Sequence, residues 1–444
     1  MGKKSSKNFS PVQILALGFG IVILIGALLL MLPIASKDGK VTPFIDAFFT
    51  STSAVCVTGL TTVNTAEHWT YFGTTVIIFL IQIGGLGFMS FATLFALILG
   101  KRITLKERLI MQEAMNTFSL QGLVKLAKYI LIFTFAIEGV GALFLSTQFI
   151  PNYGISKGIY FSVFHSISAF CNAGFDLIGN SLVPYAENSV IILTISALLI
   201  IGGLGFAVWA EIYNYNGIKK LSLHSKVVIV VTILLIVVGW IFMFLFEMKN
   251  PNTIENMSIK GKLLSSFFAS VTPRTAGFNS IVTSDMTLAG TFLTIVLMFI
   301  GGSPGGTAGG VKTTTAGILF MTIFCVMRNK EDTKIFDRTI SKGLVYKAFV
   351  ISTVAMTLII IETMILSFTE SGASLEYIIY EITSAFGTVG LSLGLTPNLS
   401  AIGKILIAIT MYIGRVGALT LLLALSNKKL GNTIKYPEGK ILVG

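Results

Sequence analysis

The sequence predicts an all-α membrane protein in which a span–short helix–span unit repeats four times around a pseudo-fourfold axis. Three observations predict it. The 444 residues are 54% hydrophobic and 12% charged, whereas soluble domains carry about 25% charged residues, and the mean hydropathy is +0.85. A small-residue stretch ending in a single glycine occurs four times: S-A-V-C-V-T-G-L (Ser53 to Leu60), S-A-F-C-N-A-G-F (Ser168 to Phe175), V-T-P-R-T-A-G-F (Val271 to Phe278) and S-A-F-G-T-V-G-L (Ser384 to Leu391). Its glycines, Gly59, Gly174, Gly277 and Gly390, lie 115, 103 and 113 residues apart. A second glycine motif follows each stretch at a matching distance: Ile83 to Phe88, Ile201 to Phe206, Ile300 to Pro304 and Ile413 to Gly417. Small-residue helix packing accounts for one such motif, but not for four in register.

The elements follow in order. Eight segments reach the roughly 20 residues that a bilayer crossing needs: 11–33, 73–99, 124–148, 188–214, 226–247, 286–327, 344–368 and 402–426. The first follows Lys3, Lys4 and Lys7, is longer than a signal-peptide core and lacks a small-x-small cleavage site, so a retained span is expected. Between successive pairs lie short apolar segments, 43–56, 157–171, 261–273 and 374–387. Irregular backbone at membrane depth survives only inside protein or against water, so four re-entrant segments imply a shared lining. The units divide as 1–105, 106–220, 221–335 and 336–444.

Charge orients the bundle. The side with both termini and the loops near 100–128, 216–226 and 328–347 carries 22 of the 32 Lys and Arg, and the opposite side 7. An excess of Lys and Arg marks the cytoplasm, so both termini are expected inside and the glycine stretches open outward. The net charge of +12 is therefore a topology signal, not a nucleic-acid one. The outer loops hold more carboxylates than cations, among them Asp46, Glu67, Asp176, Asp285, Glu370, Glu376 and Glu381. They are either an acidic vestibule that concentrates cations or ordinary solvated loops.

Each short helix ends at its glycine stretch, and a helix C-terminus carries partial negative charge on unpaired carbonyls. Glycine admits backbone conformations that turn carbonyls inward. A ring of such carbonyls replaces the hydration shell of a monovalent cation. The expected ligands are the backbones of Val57, Thr58, Gly59, Asn172, Ala173, Gly174, Thr275, Ala276, Gly277, Thr388, Val389 and Gly390, with side chains facing away.

Only the third inner span is broken in this reading. Gly301 to Thr315 contains six glycines and Pro304, which will not stay helical, and Thr287 to Met327 is too long for one straight crossing. Two half-helices joined by a loop under the ring are expected. Gly305 to Thr313 approaches a phosphate-binding loop, but one residue too many precedes the lysine and apolar spans flank it.

Charges inside a span are costly and usually functional or paired. Arg415 is expected to point into the pore, either as an electrostatic barrier or locked onto the third-unit loop, with a pair to a buried carboxylate as the structural alternative. Lys312 lies in the loop, as gate residue or helix-end lysine. Arg274 is expected to anchor the third stretch from behind. Glu138 and Glu362 are expected to pair rather than to bind ions. His68, His165 and His224 are isolated, and Cys56, Cys171 and Cys325 have no metal-ligand spacing. No nucleophile–base pair, metal cluster or cofactor fingerprint points to an enzyme.

The four units, the single glycine in each stretch and the broken third inner span make the chain resemble the Trk/Ktr/HKT superfamily of potassium transporters, most closely the membrane subunit of the bacterial Ktr system. The resemblance implies a potassium-channel-like pore in one chain, a plasma-membrane location and potassium uptake gated by the third-unit loop. In that loop it points to Gly305, Gly306, Gly309, Gly310 and Lys312, with Arg415 beside them. It also implies sodium as an activating ion, a homodimer, and a cytosolic nucleotide-binding ring of the RCK/KTN type as partner. No cofactor bound by this chain and no nucleic acid are expected. An alternating-access transporter and a non-conducting scaffold are the alternatives. The first also uses broken helices, but a single break and repeats running in one direction argue against it.

Overall fold

The protein, seen in a computed structural model, is described here for residues 10–87, 104–114, 123–213 and 221–417. Among the described residues, four helices are long and apolar enough to cross a membrane: α1 (Pro11–Leu30), α5 (Leu123–Tyr153), α9 (Leu223–Glu247) and α13 (Lys342–Thr369). Each precedes a short helix: α2 (Phe44–Cys56), α6 (Ile155–Phe170), α10 (Ile259–Val271) and α14 (Leu375–Gly387). The inner helices follow as α3 (Tyr71–Leu86), the pair α7 (Ser189–Gly203) and α8 (Phe206–Tyr213), the pair α11 (Leu288–Phe299) and α12 (Thr313–Met327), and α15 (Ala401–Val416). The helix α4 (Leu105–Ala114) lies between the first two units, and a two-residue hairpin, Lys334–Ile335 with Arg338–Thr339, precedes α13.

Three of the four short helices dock on the outer ones through one repeated contact. Ser51 Oγ donates to the Ile23 carbonyl at 2.7 Å, Ser166 Oγ to that of Glu138 at 2.6 Å and Ser270 Oγ to that of Ile236 at 2.7 Å. Three residues on in each outer helix stand Gly26, Gly141 and Gly239, where a Cβ would run into these same hydroxyls. Nothing local in the sequence marks these glycines; the serine–glycine pairing across two helices does.

The second glycine motif has a matching cause. A Cβ on Gly84, Gly202 or Gly414 would collide with the carbonyl of Val55, Phe170 or Phe386, each four residues before the glycine of its stretch. The inner helix backbone thus lies directly on the end of the short helix. In the third unit Gly301 instead faces the Gly309 carbonyl of its own loop.

The expectation of a single broken span is corrected. The second inner span bends by 98° between α7 and α8, at Gly205, whose φ is +92°. Gly87 and Gly417, three residues after Gly84 and Gly414, also take left-handed angles, +80° and +95°, and end α3 and α15. The parts of the expected spans 73–99 and 402–426 beyond Gly87 and Gly417 lie outside the described residues, as do residues 101–103 and 115–122 of the first basic loop. The α7–α8 bend is stable because the third-unit loop satisfies the freed backbone: Ser303 N–H donates to the Gly203 carbonyl at 2.9 Å, Thr307 N–H to that of Gly202 at 3.3 Å, and Phe206 N–H to that of Gly305 at 3.0 Å. Two breaks that would each be costly alone complete each other.

α9 and α13 end on carboxylates that cap the next inner helix. Glu247 accepts from the Thr287 N–H and hydroxyl at 2.9 and 2.7 Å, and Glu370 accepts from both the Ser400 N–H and its hydroxyl. Lys404 on α15 pairs with Asp46 on α2 at 2.7 Å, tying the last unit to the first.

Candidate functional site

The four glycine stretches form a closed ring. A Cβ on Gly59 would strike the Ala173 carbonyl, and one on Gly174 would lie 2.8 Å from that of Ala276. One on Gly277 would lie 2.6 Å from the Val389 carbonyl, and one on Gly390 would strike that of Thr58. The order is thus first, second, third, fourth and back to first, with each glycine against the carbonyl just before the next glycine. At the four matching positions Val57, Asn172, Thr275 and Thr388 take φ of +58°, +60°, +69° and +50°. Left-handed backbone is uncommon outside glycine and strained for a β-branched residue, so four instances in register mark an imposed geometry. Their side chains, and those of Thr58, Ala173, Ala276 and Val389, are buried.

Local hydrogen bonds explain the S-A-x pattern. In the first, second and fourth units the chain leaves the helix in a Schellman-type turn: Thr58 N–H donates to Ser53 O, Ala173 N–H to Ser168 O and Val389 N–H to Ser384 O at 2.7–2.8 Å. The serine hydroxyls then brace the stretch: Ser53 and Ser384 accept from the N–H of Gly59 and Gly390 at 3.0 and 3.1 Å, and Ser168 donates to Phe175 O at 2.8 Å. Thr272 does the same for Phe278 O. With Pro273 in the chain, the third unit has one residue fewer from this hydroxyl to its glycine, and its turn closes by Ala276 N–H on Thr272 O at 3.0 Å.

The third-unit loop, residues 300–312, lies against the ring through Thr307, Gly309 and Gly310. A Cβ on Gly309 would meet the Thr388 side chain, and one on Gly310 would lie 3.2 Å from Gly387 Cα. The Asn172 carboxamide is 3.3 Å from the Thr307 hydroxyl. Gly305 and Gly306 instead pack on the α7–α8 bend. The loop closes on itself through Gly301 N–H to Val311 O at 2.9 Å and Ser303 to Thr313 hydroxyls at 2.9 Å.

Arg415 is locked onto this loop. Its guanidinium donates to the carbonyl of Thr307 and to those of Gly84 and Gly85, the last turn of α3, where the helix dipole favours a cation. Among the described residues it meets no carboxylate; its partners are backbone carbonyls. Lys312 stays within the loop, its Nζ 2.6 Å from Ala308 O. Arg274 lies buried behind the third stretch, 3.4 Å from the Thr232 carbonyl and hydroxyl.

Glu138 and Glu362 are buried, and among the described residues neither meets a Lys or Arg. Gln82 donates to Glu138 at 3.1 and 3.3 Å, and Thr410 donates to Glu362 at 2.5 Å. The expected pairing is thus with neutral partners. Several of the acids counted on the outer loops are engaged within the fold: Glu381 is fully buried, Asp46 is ion-paired and Glu370 caps α15. Asp176 remains beside a cavity of about 250 Å3 that Gly59, Gly174, Thr61 and Asn64 also line. Outside the spans, His68 has its imidazole pulled below its ordinary pKa by burial, with Asp38 and Asp46 opposing.

Residues 6–433 match the family described as TrkH, cation transport protein. The chain is 48% identical to the potassium/sodium uptake protein NtpJ of Enterococcus hirae, across 100% of this chain and 99% of that one. It is 43% identical to the Ktr system potassium uptake protein B of Bacillus subtilis, across 98% and 97%. The crystal structure of the potassium transporter TrkH from Vibrio parahaemolyticus superposes with a TM-score of 0.74 at 18% identity, over 96% of this chain and 86% of that one, a likeness of fold.

Proposed function

Because this multi-pass membrane chain belongs to the TrkH family of cation transport proteins, we propose that it takes up potassium through the four-glycine ring, channel-like and one pore per chain. The observation that carries the reading is the ring itself: four left-handed turns in register, each glycine seated against the carbonyl preceding the next. Side chains buried away from the axis leave backbone oxygens as the ligands, the chemistry that dehydrates a monovalent cation. The relatives' names, potassium/sodium uptake and Ktr potassium uptake, supply the ion. One glycine per unit and four unequal stretches imply softer discrimination against sodium than four identical filters would give.

The gate in this reading is the 300–312 loop, held shut by Arg415. The four units divide at about residues 105, 220 and 335, and both termini are cytoplasmic. Two copies of the chain sit on a cytosolic nucleotide-binding ring through the basic inner loops, among them Arg328 to Lys347, and sodium acts as an activating ion.

Alternating access stands second, and the α7–α8 bend favours it, since broken helices at membrane depth also build transporter sites. Flux of labelled potassium into proteoliposomes separates the readings. Channel-like uptake gives potassium flux without fixed stoichiometry. Saturable flux tightly coupled to sodium or protons would replace it with alternating access, and no flux at all would leave a scaffold.

A further inference from the structure

The same place on the second and fourth short helices, nine residues before the glycine, holds a hydrogen-bonding side chain that reaches past the ring to its outer limb. In the second unit this is His165, fully buried. Its Nδ1 lies 2.7 Å from the Phe161 carbonyl, which can only accept, so Nδ1 carries the proton. The bare Nε2 then accepts from the N–H of Leu177, three residues beyond Gly174, at 3.3 Å. In the fourth unit it is Glu381, also fully buried. One carboxylate oxygen accepts from Ser392 Oγ at 2.7 Å, two residues beyond Gly390, and the other from the Thr396 hydroxyl.

The first and third units lack this device. Thr50 stands at the position in the first, its hydroxyl without a partner, and the third has apolar Phe268 and Ala269 there. The outer limb of the third unit leans on the second instead: Leu182 N–H donates to Asn279 O at 3.0 Å, and Asn279 N–H to Ser181 Oγ at 3.0 Å. The ring order makes the second and fourth units opposite neighbours of both the others.

We propose that His165 and Glu381 are positioning residues of the pore: from opposite sides they pin the outer limbs of the second and fourth stretches and so set the width of the carbonyl ring and its preference for potassium over sodium. The inference rests on the reading of the ring as an ion filter. The physical reason is leverage. Coordination is by backbone, and backbone two or three residues past the glycine moves the carbonyls with it. Unlike the Ser53-type braces, which act inside the turn, these two side chains hold the chain after it has left the turn. Loss of an acceptor strands buried or half-buried donors, a cost that the limb escapes by moving out to water.

The test is the ratio of potassium to sodium uptake by the full chain in proteoliposomes. His165→Phe keeps a ring among Phe149, Phe161, Phe164 and Phe278 but removes the acceptor; Glu381→Ala removes both acceptors. Each is expected to lower the ratio about threefold or more, within what one lost hydrogen bond can supply, with sodium uptake maintained or raised. Glu381→Gln, which keeps one acceptor oxygen, should restore much of it, and Glu376→Ala on the same helix should leave it unchanged. If a short-helix variant does not fold, the Ser392→Ala/Thr396→Ala pair removes the same bonds from the limb side and must lower the ratio too. A selective wild type with unchanged ratios in the folded variants would overturn the positioning role alone. A wild type that conducts no potassium, or does not distinguish it from sodium, would instead overturn the filter reading and this inference with it.

Discussion

Arg415 of α15 donates to the carbonyl of Thr307, in the loop of the preceding unit, and in the same grip to Gly84 and Gly85 of the first unit. One side chain therefore bridges three of the four units just inside the ring. A guanidinium forks between carbonyls in a way that an ammonium cannot. Arg415→Ala is expected to raise potassium flux severalfold, and Arg415→Lys to raise it partway. Flux at or below wild type in folded Arg415→Ala protein would remove Arg415 from the gate.

Deleting Gly305 to Gly310 should likewise raise conductance, measured by single-channel recording or tracer uptake. The deletion also strips Phe206 N–H of its partner, so the α7–α8 bend should loosen, seen as faster hydrogen exchange across Leu204 to Trp209. Unchanged or lower flux in folded protein would count against a gate here.

The ring has no room for side chains. Gly59→Asp and Gly277→Asp should abolish potassium uptake while membrane insertion persists, because each drives a Cβ into a neighbouring carbonyl and sets a carboxylate beside it. Normal selective flux in both variants would exclude the carbonyl ring.

Gly403 stands where a Cβ would lie 2.5 Å from Glu370 Oε1. Gly403→Ala should push this carboxylate off the Ser400 cap and cost about 1–3 kcal/mol of stability, read as a lower melting temperature in detergent. The equal substitution at Gly39, where a Cβ meets open space but φ is +66°, isolates backbone strain from that clash.

The Lys404–Asp46 pair closes the outer circumference between the last unit and the first. Both side chains are 17% exposed, so Lys404→Met is expected to cost only about 1 kcal/mol and to leave the potassium-to-sodium uptake ratio intact. A large loss of selectivity would mean that the ring depends on this outer tie.

Much of the architecture could be read from residue order alone. Span lengths, the four short helices and the break at Gly301 to Gly310 follow from hydropathy, length and helix-breaking residues, which are local properties of the chain. The four glycines announced themselves by recurrence, and Arg415 by the cost of a charge inside a span.

Other features needed the tertiary structure, because each depends on a partner distant in sequence. The bend at Gly205 hides in a motif that continues as helix unless the third-unit loop is there to take its carbonyls. In the sequence His165 is an isolated histidine and Glu381 one of several outer-loop acids, since nothing local says that a loop 11 to 15 residues on donates to each. The direction of Arg415 was open between pore, loop and carboxylate until the loop carbonyl was placed beside it. Sequence thus determined which elements form and where they break; packing decided which broken ends meet, and so which side chains hold the ring.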